Sequence, residues 1–314
     1  MQIKYTSTLL GMLLFLFSLT SCGGKEELNE FEIGYTSANY MAQHQPITQN
    51  FLVGFSSGGN FQTEDGVRIL FPSPSQGQVT VFEKQDGTPY VQGVVQVKVK
   101  EISKMSDALL GGFSLEGEGQ PLFSVGRLHV EVLGNDSSKL RLAAGKNYTI
   151  SFPSLGFNET LKGFFLAPGD NQVMEWKQSA SAITLPPNNL YPLHQLISNQ
   201  LGEMQMGTYL TEKYPQKGNL TVSLQGNAKI SNSKMFLCYK DYPSAFELKT
   251  NQEAWAAQNI PLAPATLVGY GFEKGQMYYT MQEIDGTNEM ISLTMEKTTS
   301  ADFEAKIKAL DKWW

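Results

Sequence analysis

From Asn50 onward the chain carries short runs of alternating apolar and polar residues, about ten residues apart and separated by turn signals. Neighbouring side chains on a strand point to opposite faces, so a period of two gives one face to a core and the other to water. The longest run, residues 91–102, sets Val95, Val97, Val99 and Glu101 on one face and Gln96, Lys98 and Lys100 on the other. Runs at 50–55, 67–71, 78–82, 127–133, 140–142 and 147–152 share this character, with Asp86-Gly87 and Asn135-Asp136 as turns. No amphipathic helix of crossover length lies between them, so the pattern predicts antiparallel strands in an all-β sandwich. A short helical turn is expected at 106–110, with Asp107 as its cap.

Pro186-Pro187-Asn188-Asn189 is the strongest break in the chain. It predicts a first β-sandwich over 50–185 and a second over 190–314. Strand patterning resumes at 219–224, with Leu220, Val222 and Leu224 alternating, and continues at 234–239, 265–272, 276–282 and 290–295. Lys274-Gly275 and Asp285-Gly286 supply turns, and the second sandwich reads as antiparallel. A helix closes the chain from about Ala301, capped by Thr299 or Ser300. Its residues Phe303, Ile307, Leu310 and Trp314 fall on one apolar stripe that should pack on the second domain.

Ahead of the first strand, Lys4 precedes an apolar run at residues 9–17 that is too short to span a bilayer, which needs ~20 apolar residues. It reads as the core of a signal peptide over 1–21. The following Leu19-Thr20-Ser21-Cys22 resembles the lipobox of bacterial lipoproteins, which implies a diacylglycerol on the Cys22 thiol and membrane attachment through that lipid. Residues 22–49 are polar and read as a tether; a flexible stretch of ~20 residues reaches ~25 Å. Lys25-Glu26-Glu27 is similar to the export signal of Bacteroidota lipoproteins, implying display on the outer face of the outer membrane; the periplasmic face is the alternative.

The pattern Gly66-Val67-Arg68-Ile69, Gly93-Val94-Val95-Gln96-Val97, Phe123-Ser124-Val125-Gly126-Arg127-Leu128-His129-Val130-Glu131-Val132 and Leu140-Arg141-Leu142 resembles a family of Bacteroidota surface lipoproteins. The likeness continues at Met174-Glu175-Trp176, Leu220-Thr221-Val222, Asn259-Ile260-Pro261 and Thr298-Thr299, and so covers most of the chain after Cys22. It implies a ZU5-like β-sandwich as first domain and a place in the envelope, with no activity attached. Around Leu201-Gly202-Glu203-Met204 the sequence departs from the family, and no role is carried over there.

Candidates for chemistry are sparse. A net charge of −6 argues against nucleic acid as partner. Two Cys and three His offer no metal-ligand spacing, so no metal or cofactor is expected. Gly54-Phe55-Ser56-Ser57-Gly58 matches the G-x-S-x-G elbow of serine hydrolases, but no helical period follows, and a Gly/Ser loop is the better reading. His129 reads as a solvated sheet residue, Cys238 as a core thiol, Met204-Gln205-Met206 as filler, and Asp170, Asp241 and Asp285 as turn residues. Tyr278, Tyr279 and Trp255 remain as aromatics able to stack on a sugar face. The sequence therefore predicts a lipid-anchored envelope module that binds a glycan or an envelope protein, or plays a structural part, without catalysis. The alternatives are glycan capture beside an outer-membrane uptake system, and, less favoured, a serine hydrolase using Ser56.

Overall fold

The chain folds into two stacked pairs of β-sheets. The computed structural model describes residues 30–73, 80–153, 160–169, 173–179, 183–184, 193–225, 233–251, 254–287 and 290–313. The expected signal peptide, Cys22, Lys25, Glu26, Glu27, Asp170, the 186–189 break and Trp314 lie outside them. In chain order the first strands are β1 (Gln49–Gly54), β2 (Gly59–Gln62), β3 (Arg68–Phe71), β4 (Phe82–Lys84), β5 (Val94–Ile102), β6 (Glu116–Gly117) and β7 (Gln120–Leu133). β8 (Lys139–Leu142), β9 (Tyr148–Pro153), β10 (Lys162–Pro168), β11 (Met174–Gln178), β12 (Ile183–Thr184), β13 (Leu193–Ser198) and β14 (Gly202–Tyr209) follow. The remainder are β15 (Lys217–Leu224), β16 (Lys234–Tyr239), β17 (Phe246–Glu247), β18 (Lys249–Asn251), β19 (Ala254–Pro261), β20 (Ala265–Glu273), β21 (Gln276–Ile284), β22 (Met290–Leu293) and β23 (Glu296–Thr298). Helices are α1 (Ser37–Gln43), α2 (Met105–Gly111), α3 (Leu210–Lys213) and α4 (Ser300–Lys308), the last running into a 3-10 turn at Ala309–Trp313.

The first pair comprises a nine-stranded sheet built along β1-β5-β7-β14-β10-β11 and a five-stranded sheet β12-β13-β9-β3-β2. The alternation of β5 is realised as read: Val95, Val97, Val99 and Glu101 are buried while Gln96, Lys98 and Lys100 are partly exposed. Across the core Ile69, Phe71, Ile150 and Phe152 fill the inner face of the other sheet. Beyond the boundary expected at 186–189, β13 pairs with β9 and β14 lies between β7 and β10, so both strands belong to the first pair, and the change to the second pair comes after Tyr209. Met204 and Met206 of β14 point into the first core, and both its edges carry ladder hydrogen bonds that β7 and β10 would otherwise leave unpaired. Two prolines mark a turn; they carry no information about which sheet receives the next strand.

The second pair stacks β18-β19-β15-β22 on β17-β16-β20-β21-β23. It is antiparallel apart from one pair: β15 and β22 run parallel, which corrects the expected all-antiparallel sandwich. That pairing is reached by a long connection through the other sheet, which alternation alone does not encode. Trp255 on β19 faces Val222 and is 6% exposed, so it is a core residue and not a surface aromatic. The main hydrophobic cluster is continuous from Val53 and Phe71 in the first pair to Trp255 and Leu267 in the second.

The expected polar tether is built into the fold from Glu30, because its aromatics have a pocket to fill. Phe31 stacks on Tyr35 with ring centroids 4.4 Å apart and meets Phe272 edge-on at 5.1 Å. Thr36 caps α1 by a reciprocal exchange with Asn39, and Tyr40 is buried against Tyr270, Phe272 and Phe303. The closing helix is present: Thr299 accepts from the Asp302 amide at 3.2 Å, Phe303 and Ile307 are buried, and Leu310 is partly buried. The expected Asp107 cap is not formed. Asp311, from the far end of the chain, accepts the Ser106 amide of α2 at 2.8 Å and the Ser106 hydroxyl at 2.6 Å. Gly112 ends α2 at φ +70°, a left-handed cap for which glycine is suited.

Candidate binding pocket at the end of the first sandwich

The core stripe of β5 ends in a carboxylate. Val95, Val97 and Val99 fill the space between the sheets, and the next residue on that face, Glu101, reaches the point where the sheets part. A cavity of about 520 Å³ opens there. Val67, Val125 and Pro153 form an apolar wall from the sandwich. Ser103, Lys104, Ser106 and Asp107 come from the start of α2, and Lys308 and Asp311 from the end of the chain. Residues separated by more than two hundred positions thus share one pocket, held by the Asp311–Ser106 bonds.

Four carboxylates, from Asp65, Glu101, Asp107 and Asp311, face two lysines, Lys104 and Lys308. Asp65 accepts from the Ser103 hydroxyl at 2.6 Å and lies 3.6 Å from Lys104 Nζ. Glu101 is 5% exposed, and neither carboxylate oxygen makes a well-formed hydrogen bond. Burial pushes its carboxyl above the ordinary value; hydrogen-bonding groups of Thr63, Gln49 and the Asp65 backbone work against that shift, and the negative charge of Asp65 adds to it. Asp107 is raised as well, mainly by burial, with Lys104 opposing and Asp311 reinforcing. An apolar wall with a few convergent polar groups and displaced carboxyls is the usual build of a small-molecule site.

A second cluster lies on the outer face of the nine-stranded sheet. Glu203 on β14 accepts from Arg127 Nε at 3.0 Å, and His129 Nδ1 stands 3.1 Å from its other oxygen, in ion-pair range without hydrogen-bond alignment. Burial opposes ionisation of Glu203, but His129 and Arg127 outweigh it and hold the carboxyl below its usual range. The Arg127 guanidinium lies 4.8 Å from the ring centres of both Phe113 and Trp176. Register explains the meeting: Glu203 pairs directly with His129, which pairs with Lys100. His129 is therefore half-exposed beside an acid, an environment its own strand does not reveal.

The aromatics expected to meet a sugar are dispersed. Trp255 is in the core. Tyr279 lines a groove of about 430 Å³ beside α4, but Lys306 covers its ring at 5.1 Å and Phe303 lies at 6.1 Å. Tyr278, its neighbour on the strand, points to the opposite face and is partly exposed. Ser56 occupies the loop between β1 and β2, closed by a Gly54–Gly58 bridge, so a second strand follows and the strand–turn–helix context of an elbow is not formed. Cys238 is a buried thiol that burial pushes well up from its ordinary value. Met204 and Met206 are core residues, and Asp285 accepts from the Thr287 amide and hydroxyl in its turn. Among the described residues no three His, Cys, Asp or Glu side chains converge as metal ligands, and no helix is long and apolar enough to cross a membrane. Glu101 closed the β5 alternation in the sequence as an acid on an apolar face, which was the available signal for the pocket.

In comparisons with known proteins, no family model matches this chain and no curated protein is significantly similar to it.

Proposed function

We propose that the protein is a lipid-anchored envelope module, displayed outward from the outer membrane, that binds a small amine-bearing ligand in the pocket beside Glu101. The observation that carries the binding reading is the Glu101 carboxylate, nearly solvent-free and lacking a formed hydrogen bond beneath a cavity with excess negative charge. Thr63, Gln49 and the Asp65 backbone offset only part of the cost of burying this acid, and an ammonium group brought against it would supply further donors and the opposite charge. Asp65, Asp107 and Asp311 would face the remaining polar groups of such a ligand, and Val67, Val125 and Pro153 its carbon chain. The anchoring reading rests on Leu19-Thr20-Ser21-Cys22.

Calorimetric titration of the purified protein with 1,4-diaminobutane tests the pocket. Saturable binding that falls at least tenfold in Glu101→Gln is expected, and equal binding by both proteins would remove the pocket from the function. Fractionation tests the anchor: Cys22→Ser should leave the membrane fraction, and a variant that stays with the outer membrane would exclude lipidation as the means of attachment.

A further inference from the structure

The place where the chain enters the fold determines which end can sit at a membrane. Glu30 accepts the Ser300 amide of α4 at 2.8 Å and also takes the Ser300 hydroxyl. The Phe31 amide donates to the Gly275 carbonyl, in the turn between β20 and β21, at 3.2 Å. His44 Nε2 lies 3.1 Å from Glu304, a second tie to α4. From Glu30 onward the chain is thus fixed to the second pair of sheets.

Only eight residue steps separate Cys22 from Glu30. At about 3.5 Å per residue, whatever conformation they take, Glu30 stays within ~28 Å of Cys22. Ile33, 83% exposed, is only three residues from this entry point. The turns beyond the Val94 end of β5 are far from α2. β5 runs from Ile102, next to α2, to Val94, which at ~3.3 Å per residue carries the chain about 27 Å away. The Asp86-Gly87 and Asn135-Asp136 turns are joined there by an ion pair between Lys84 and Asp136 at 3.4 Å.

We infer that the anchored protein turns the face around Glu30, Ile33 and the Lys274-Gly275 turn toward the bilayer, and presents the Asp86-Gly87 and Asn135-Asp136 end of the first sandwich outward. This rests on the lipid-anchor reading of Cys22. The short leash is the cause: the second pair of sheets is held close to the headgroups, and the first sandwich stands beyond it.

The test uses the full-length lipidated protein in phosphatidylethanolamine–phosphatidylglycerol vesicles that carry an acceptor dye on a headgroup. A donor dye is placed on Ile33→Cys or on Thr88→Cys; both positions are exposed, and the native Cys238 is buried. Energy transfer several-fold higher from position 33 than from position 88 is expected. Equal transfer, or the reverse order, would overturn the orientation. Inserting ~20 Gly/Ser residues after Asn29 should shrink the difference; an unchanged difference would overturn the short leash as its cause. Failure of the wild-type protein to float with vesicles would overturn the lipid anchor and the orientation with it, whereas flotation without contrast overturns the orientation alone.

Discussion

Glu101 is the residue at which the sequence and the physical chemistry of the core disagree most. It occupies a position that alternation assigns to an apolar side chain, and the fold keeps it there with its carboxylate shielded and without a formed hydrogen bond. Its folded carboxyl is raised above the ordinary value, so the folded state holds the proton more tightly than the unfolded chain does. Stability from this group is therefore present at low pH and is lost as pH rises through the window between the unfolded and folded values. Glu101→Gln removes the charge and keeps the shape. Its melting temperature should exceed that of wild type at pH 7, and the gain should shrink toward pH 4. A gain equal at both pH values would mean that ionisation of Glu101 contributes nothing.

At the scale of elements, α4 shows how local and distant groups share one task. Its first turn leaves amide donors without intrahelical partners. Thr299 takes the Asp302 amide, and Glu30, nearly the whole chain away, takes that of Ser300. Thr299→Ala should cost about 1 kcal/mol in urea unfolding, and no measurable loss would show that the cap is redundant with Glu30. Thr299 was legible as a cap because Thr before an amphipathic run is a local signal. Asp311 as the partner of Ser106 was not legible, since nothing at Ser106 or Asp107 encodes a carboxylate arriving from the end of the chain. The same limit hid β10, β11, β13 and β14. Met204-Gln205-Met206 alternates correctly, but its inward methionines are meaningful only once β7 and β10 flank it.

For the whole molecule, the continuous core from Val53 to Trp255 and the late change of sheet at Tyr209 couple the two halves. Thermal unfolding followed by calorimetry should give one transition whose calorimetric and van't Hoff enthalpies agree. Two resolved transitions would mean that the halves are independent despite their shared cluster. A fragment over 50–185 lacks β14 from the middle of the nine-stranded sheet and should fail to fold on its own, with unpaired edges on β7 and β10.

The sequence by itself determined what repeats locally: strands with a period of two, Gly-containing turns, a capped amphipathic helix at the end, and the all-β class to which these add up. Each is dictated by steric and solvation preferences of a few neighbouring residues. Only the tertiary structure decided the partners. Strand pairing, the parallel β15–β22 contact and the meeting of Glu203 with His129 depend on contacts between residues far apart in sequence, as do the docking of residues 30–45 on α4 and the joining of Glu101 and Asp311 in one cavity. Their energies come from burial and pairing across the whole molecule, and an isolated segment carries no record of what will cover it.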